Sequence, residues 1–437
     1  MPLYVGEGED IIPGMPKEKI ITSIDIGSTK ISSAVAAITD NKVSIIGVSG
    51  SVPSKGISKG NVVDIDAAVE SISSSLERAE RMAGVSISSA LVTINGTHIE
   101  TQNSHGVVAV SHQGSEISTE DVLRVTEAAQ AVSIPSSREI IHVIPRDFMV
   151  DSQAGIKDPI GMSGVRLEVE TNIIHGSSTA MKNLIKCVSQ VGIQVDELVY
   201  TGIAAAESVL TDTEKELGTV LVDIGGGTTS IVAFLEGSPI YSRVLPIGAR
   251  YITNDLAIGL RTRLEDAEKI KIKLSNEKQE AFIQTAVITN GDRKRMEEFD
   301  VAEFGLESET VPKKLLYEII DARLNEIFRL IVLEINKANL QGKLPAGLVI
   351  TGGGALTAGI ERIAKVVMKM PVRIGYPRGV TGLIDEIQGP AYSATVGAVL
   401  YGVGKMKSNT MLSFDSGRGK MSSVLGKIIE KLKSFLP

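Results

Sequence analysis

Two copies of one tripeptide, Asp25-Ile26-Gly27 and Asp223-Ile224-Gly225, stand about 200 residues apart, and each closes an apolar, β-branched run. The first continues as Ser28-Thr29-Lys30, the second as Gly226-Gly227-Thr228-Thr229, and a third glycine turn, Thr351-Gly352-Gly353-Gly354-Ala355, follows another apolar run. Glycine admits backbone conformations closed to other residues and lets main-chain N–H groups approach phosphate oxygens, while the hydroxyls that follow add donors. The acids Asp25 and Asp223, each ending a strand, are placed to hold Mg2+ through waters, because that ion keeps much of its hydration shell. One glycine turn after a strand is most often a simple hairpin. Two copies of Asp-Ile-Gly with a third turn before a helix are much harder to obtain by chance, and they point to phosphate chemistry. None of the turns runs into Gly-Lys-Ser/Thr and none has the G-x-G-x-x-G spacing, so two commoner nucleotide signatures do not apply.

The elements that must position these turns follow from apolar patterning. Strands are predicted over residues 20–26, 30–38 and 42–48, with Thr39-Asp40-Asn41 as a turn, then a helix over 66–82 stopped by Gly84. Residues 86–165 read as a separate small module, with strands near 90–94, 106–110 and 140–150. Its helix over 119–132 opens with Ser118-Thr119-Glu120-Asp121, an N-cap with acids at the positive end of the dipole. Strand character resumes over 165–174, followed by a helix over 179–191, a strand over 196–200 and an Ala-rich helix over 202–210. The strand, glycine turn, strand geometry then repeats over 219–235. Residues 255–310 are charged and mostly helical in pattern, and a long helix is predicted over 313–338. The third glycine turn ends a strand over 347–351, a short strand follows over 372–374, and a small-residue helix is expected over 392–401. The polar stretch beyond Gly404 reads as a linker.

A chain of 437 residues is too long for one ordinary core, so at least two lobes are expected. Hydrophobic residues at 43% and charged residues at 22% describe a globular protein, and a net charge of −7 argues against nucleic-acid binding. The single cysteine, Cys187, excludes an internal disulfide and reads as a buried small apolar residue. No run of eighteen apolar residues occurs, and the acidic, Pro- and Gly-containing start lacks the regions of a signal peptide, so a cytosolic protein with a flexible leader is expected. The histidines at 98, 105, 112, 142 and 175 include no metal-binding pair at helical spacing with an acid beside it, and ordinary side chains are expected there.

The paired Asp-Ile-Gly turns and the third glycine turn resemble the actin, Hsp70 and sugar-kinase superfamily, whose two similar lobes grip ATP from either side. That resemblance spans nearly the whole ordered chain and implies an α/β, actin-like (ribonuclease H-like) two-lobe ATPase fold. It gives the phosphates to Gly27, Ser28, Thr29, Lys30, Gly225, Gly226, Gly227, Thr228 and Thr229, and the adenosine to Gly352, Gly353 and Gly354. Within the superfamily the chain resembles the FtsA cell-division family. The resemblance lies in residues 24–30, in Val52-Pro53-Ser54-Lys55-Gly56 with Lys59-Gly60-Asn61-Val62-Val63-Asp64, and in residues 214–229, 266–271 and 348–359. By the same resemblance the inserted module at 86–164 corresponds to subdomain 1C. Residues 19–85 and 165–202, with 386–404 returning, correspond to 1A, residues 203–254 and 311–385 to 2A, and residues 255–310 to 2B. A leader over 1–18 and a linker over 405–420 flank them.

On the segment Leu264-Glu265-Asp266-Ala267-Glu268-Lys269-Ile270-Lys271, helical spacing puts Glu268 and Lys271 on one face. They form either a solvated ion pair or, as the resemblance implies, contacts to ribose and adenine. Glu207 follows Ala204-Ala205-Ala206 in the helix expected to join the lobes, where relatives keep a side chain that orients the attacking water. Thr201-Gly202 stands where many members have Glu-Pro, and no counterpart of the lysine that Hsp70 carries on its own subdomain 1B is found. Weak or slow turnover at most is therefore expected.

The tail carries the second signal. From Gly417 onward five basic residues face one acid, Glu430, and Val424, Leu425, Ile428, Ile429, Leu432, Phe435 and Leu436 fall at helical spacing with Lys427, Lys431 and Lys433 around them. Such a helix is roughly 20 Å long, too short to span a bilayer but suited to an anionic interface. A terminal helix packed on the protein's own core is the alternative, and the linker expected before it argues against that. The family resemblance implies ATP and Mg2+ as cofactors and filaments of the protein itself on the cytoplasmic side of the membrane at the division site. It also implies capture of the FtsZ C-terminal tail, placed in residues 255–310 and the adjoining helix, and contact with later division proteins through 1C. A PilM-like pilus-assembly adaptor and, more remotely, a sugar-kinase-like phosphotransferase are the rival functions.

Overall fold

The structure, a computed structural model, describes residues 19–39, 42–111, 116–132, 134–281, 297–304, 306 and 309–415. The leader, His112, much of the charged segment after residue 281 and the amphipathic tail lie outside the described residues.

Two sheets of the same plan form the two lobes. In the first, Lys42–Val48, Lys30–Thr39 and Lys19–Ile26 make an antiparallel meander, and Ser89–Ile94 and then Gln194–Tyr200 join it in parallel. In the second, Ser238–Leu245, Thr229–Leu235 and Thr219–Ile224 make the meander, and Gly347–Thr351 and then Val372–Ile374 join in parallel. The strands that end at the acids are buried along nearly their whole length, which explains their unbroken Ile/Val character: a strand covered on both faces has no polar side to alternate with. Thr381–Gly382 adds to the outer edge of the first sheet and Val52–Pro53 pairs with Lys30–Thr39.

The helix Thr201–Val209 lies between the lobes and is buried at almost every position. Its small residues allow a second helix, Ser393–Asp415, to cross at backbone distance: a Cβ on Gly397 would stand 1.7 Å from the Ala204 carbonyl oxygen. One apolar cluster joins Ile24, Val35 and Val92 of the first sheet to Leu221, Val232 and Val349 of the second, so the lobes share core as well as contact.

The inserted module is a four-stranded antiparallel sheet, ordered Gln153–Ile156, Arg138–Val150, Arg166–Ser177, Glu100–Ala109, with the helix Thr119–Gln130 on it. That helix has the predicted N-cap at Ser118, which Asp121 completes as a capping box. The boundaries differ from the sequence expectation of 86–164. Ser89–Ile94 belongs to the first lobe, where its buried run fills an interior position between two parallel neighbours. Arg166–Ser177 is a central strand of the module, paired on both sides, instead of a return to the lobe.

A second correction concerns the expected linker: the helix Ser393–Asp415 runs through residues 405–415. Between Gly404 and Asp415 there is no proline or further glycine, so a helix already anchored on the core continues through polar residues of modest propensity. Among the described residues no helix is long and apolar enough to cross a membrane.

Candidate functional site

The first two glycine turns close in the same way. The Gly27 N–H donates to the Lys30 carbonyl at 2.9 Å, and the Gly225 N–H donates to the Thr228 carbonyl at 2.9 Å. The turns meet across the gap between lobes, where a Cβ on Gly226 would stand 2.3 Å from Thr29 Cγ2 and one on Gly227 would stand 3.0 Å from Ser28 Cβ. The carbonyls of Gly225 and Gly226 accept from the Ala249 and Arg250 amides at 2.9 and 3.0 Å, which fixes the second turn against the start of the helix Ala249–Leu260. Among the described residues no acceptor is found for the amides of Ser28, Thr29, Gly226 or Gly227. Four N–H dipoles without partners, two from each lobe, are the kind of group that a bound anion can satisfy.

Asp25 and Asp223 lie at the floor of this gap, 8% and 9% exposed. The Thr93 hydroxyl donates to Asp25 at 2.7 Å. Burial, and next the charge of Asp25, push the Asp223 carboxyl up to about 7, against the opposing pull of Lys30. Burial draws Lys30 below the usual lysine value, although Asp25 and Asp223 both act to raise it. Its ammonium donates to the Ala391 carbonyl and lies 4.0 Å from the centroid of the Tyr392 ring. Two neighbouring buried carboxylates with one committed lysine leave negative charge uncompensated, and an oxygen-lined site of that sign suits a hard divalent cation.

The third turn packs directly on the second strand. Gly352 has φ +82°, and a Cβ there would meet Asp223 Oδ1 at 2.1 Å, so the position admits only glycine. The helix Leu264–Ala281 reaches this turn through Ser275, whose hydroxyl accepts from the Ala358 amide at 3.1 Å. One and two turns earlier on that helix, Lys271 and Glu268 pair at 2.7 Å, and the Lys271 ammonium also donates to the Thr253 hydroxyl at 3.0 Å. Lys271 is only 8% exposed while the Glu268 side chain stays 44% exposed, so one end of the pair is packed and the other faces solvent.

The structure thus brings together Asp25, Gly27 to Lys30, Asp223 to Thr228, and Gly352 to Gly354. Two predicted residues fall elsewhere. Thr229 is in the turn's outgoing strand, fully buried, and its hydroxyl donates to the Ile247 carbonyl at 2.8 Å, so it offers no donor to the gap. Glu207 pairs with Lys215 at 2.9 Å, two turns along its helix from the end that meets the gap. Residues that the sequence did not single out complete the floor: Thr93, and Asn95, whose amide donates to the Thr228 hydroxyl at 3.2 Å and whose carbonyl accepts from the Ser230 hydroxyl at 3.2 Å. Both fall at the end of an interior strand of the first lobe, and only its parallel pairing with Lys19–Ile26 brings them here. Among the described residues no group of three or more His, Cys, Asp or Glu side chains could hold a metal by itself.

Solved structures of similar fold include a PilM–PilN type IV pilus biogenesis complex, with TM-score 0.60 and 15% identity over 88% of this chain and 98% of that one. MreB5 of Spiroplasma citri bound to ADP has TM-score 0.52 and 13% identity over 91% of this chain and 99% of that one. Two lobes of one plan, facing glycine turns and an acid at the foot of each define an actin-like ATPase fold with an inserted subdomain. Residues 96–175 match the family described as the SHS2 domain inserted in FTSA, and residues 220–397 match the family described as cell division protein FtsA. The chain is 37% identical over 422 residues to the cell division protein FtsA of Pseudomonas aeruginosa, covering 96% of this chain and 97% of that protein. It is 39% identical over 414 residues to that of Borreliella burgdorferi, covering 94% and 97%, and 38% identical over 393 residues to that of Bacillus subtilis, covering 89% and 84%. The chain belongs to the FtsA family of actin-like cell-division proteins.

Proposed function

We propose that this protein binds ATP with Mg2+ in the gap between its lobes and uses the bound state to control its assembly into filaments. The observation that carries the reading is the convergence of four unpartnered amides, two from each lobe, above a buried pair of carboxylates. The amides of Ser28, Thr29, Gly226 and Gly227 hold the phosphates, and Asp25 and Asp223 hold the Mg2+, which offsets phosphate charge that the carboxylates would otherwise repel. The third turn, with Glu268 and Lys271 beside it, receives the nucleoside. Glu207 is left out of this assignment because its carboxylate is paired with Lys215, and turnover is expected to be slow.

In the same reading the basic amphipathic tail over 421–437 binds anionic lipid on the cytoplasmic side of the membrane. Assembly multiplies that weak contact by avidity, and the polymer holds FtsZ at the division site and meets later division proteins through the inserted module. The helix Ser393–Asp415 precedes the tail in the chain. The test has two arms. Fluorescent ATP should bind the full chain with a Kd in the micromolar range that weakens at least tenfold in EDTA; a Kd indifferent to EDTA would remove the acid pair from the site. A chain ended after Asp415 should lose sedimentation with anionic vesicles and still bind both nucleotide and a synthetic FtsZ tail peptide.

A further inference from the structure

The short hairpin of Ile57–Ser58 with Asn61–Val62 turns through Lys59-Gly60, both in the left-handed region at φ 49° and 79°. Two-residue turns of this kind are ordinarily filled by Asn-Gly or Gly-Gly, and a lysine held at positive φ is strained. Chain reversal alone does not call for it, since asparagine would reverse the chain with less strain.

The tip of this hairpin is wedged into the gap between the lobes. The Gly60 N–H donates to the Ser28 hydroxyl at 3.0 Å, and a Cβ on Gly60 would stand 2.7 Å from Gly96 Cα. The Lys59 backbone nitrogen lies 3.5 Å from where a Cβ on Gly227 would be. Lys59 therefore springs from a point between the two anion-facing turns, one of each lobe. Its side chain is exposed, makes no ion pair among the described residues, and places Nζ 5.8 Å from the centroid of the Tyr251 ring on the second lobe. Lys30, by contrast, is committed to the Ala391 carbonyl, the Tyr392 ring and the two acids. The four amides supply dipoles but no full charge. An additional terminal phosphate, with its extra negative charge, needs a cation that is still free to move.

We infer that Lys59 is a specificity-determining residue that leaves Tyr251 for the terminal phosphate of a nucleoside triphosphate and so distinguishes triphosphate from diphosphate. This rests on the nucleotide reading of the gap given above. The strained turn fixes the lysine backbone beside both turns, next to Ser28 of the first and Gly227 of the second. Because the hairpin belongs to the first lobe and Tyr251 to the second, the same residue reports the phosphate state across the lobe boundary.

The test is equilibrium binding of Mg2+-loaded ADP and of a non-hydrolysable ATP analogue to the full chain, in four forms: wild type, Lys59→Gly, Lys59→Asn and Lys59→Arg. Loss of one charge-assisted contact predicts that the triphosphate-over-diphosphate preference falls about tenfold in the Gly and Asn variants, with ADP affinity held within about twofold. Lys59→Arg should restore most of the preference. Melting without nucleotide should show Lys59→Gly at least as stable as wild type, since it relieves the strain, and this separates recognition from folding. A Gly variant with the wild-type preference, or with both affinities lowered equally, overturns the inference and leaves the nucleotide site standing. A wild-type chain that binds neither nucleotide overturns both.

Discussion

In the first lobe the turn after the acid is Gly27-Ser28-Thr29-Lys30, and in the second it is Gly225-Gly226-Gly227-Thr228, closed by the same 2.9 Å hydrogen bond. The backbones match, yet the first turn carries three functional side chains where the second carries two bare positions and a threonine. The reason is steric. Where the turns approach, Thr29 and Ser28 already occupy the space that a Cβ on Gly226 or Gly227 would need. The acids diverge as well: Asp25 accepts a hydroxyl hydrogen bond from Thr93, whereas Asp223 is overlain by Gly352 and is pushed up to about 7 by burial and by Asp25. A duplicated backbone thus keeps its symmetry where main-chain dipoles suffice. It loses that symmetry wherever two side chains would compete for one volume or two charges for one dielectric.

The steric half of this comparison predicts the largest effect on nucleotide affinity. Gly226→Ala places a methyl group 2.3 Å from Thr29 Cγ2, so either the lobes separate or the turn deforms. Nucleotide affinity should fall by about 100-fold or more, roughly 2.7 kcal/mol, by titration calorimetry. Adding Thr29→Gly to the same chain clears the volume and should recover much of the loss. A double variant no better than the single would mean that Gly226 is bare for some reason other than its neighbour across the gap.

The electrostatic half predicts an effect of opposite sign, on stability instead of affinity. The Asp223 carboxyl is raised in the folded chain from the ordinary 3.8 to about 7. Between those values the folded state holds more protons than the unfolded one, so stability is lost as pH rises from about 4 to 7. Asp223→Asn removes that penalty. Without nucleotide or Mg2+ it should be more stable than wild type at pH 8, by up to about 4 kcal/mol, with the difference closing towards pH 4. Asp25→Asn should gain less, because it relieves only the second of the two causes that raise Asp223 and leaves its burial. Both variants should lose the Mg2+-dependent part of nucleotide binding. An Asp223→Asn protein less stable than wild type at pH 8 would show that the acid pair is not repulsive in the empty gap.

What the sequence made legible was what local pattern determines. The paired Asp-Ile-Gly turns, their flanking strands and the capped helix at Thr119 were readable because each depends on a few adjacent residues. Features that depend on pairing were not. No local signal says that Ser89–Ile94 joins the lobe and Arg166–Ser177 the inserted sheet, since strand character does not name a pairing partner. Thr93 and Asn95 were invisible for the same reason: one residue of parallel register brings them to the acids. Glu207 illustrates the converse error. Its place in the joining helix came from the resemblance, which does not fix a distance, and six positions at about 1.5 Å each put it roughly 9 Å along from Thr201, whose hydroxyl donates to the Ile94 carbonyl. Lys59-Gly60 was present in a stretch that resembled the family, but only the positive φ of a lysine showed that the turn was under constraint.

The attachment of the inserted module, whose sheet follows a strand of the first lobe, also breaks the comparison of the lobes, and it predicts the mildest effect. His142, on the module's strand Arg138–Val150, accepts from the Tyr200 N–H through Nε2 at 2.9 Å, and its Nδ1 lies 3.3 Å from the Tyr401 hydroxyl. That hydroxyl donates to Glu197, which also pairs with Lys405, so one neutral imidazole joins the module, the lobe and the helix Ser393–Asp415. A proton on Nε2 would face an N–H donor. Burial, and next the charge of Lys405, accordingly hold the ring well below the ordinary 6.5, at about 3. The folded value lies under the unfolded one, so the junction is intact above pH 6.5 and is lost progressively as pH falls from there towards 3. At pH 5.5 the cost is about 1 kcal/mol, one unit of difference, and it should appear as earlier hydrogen exchange at Tyr200 than at Val222 of the second lobe. His142→Gln keeps an acceptor for the Tyr200 amide and cannot titrate, so its protection at Tyr200, relative to the intrinsic exchange rate at each pH, should be flat over the same range. Acid sensitivity equal in the two proteins would assign the effect to other groups, and equal acceleration at Tyr200 and Val222 would mean that the module is not joined to the first lobe through this ring.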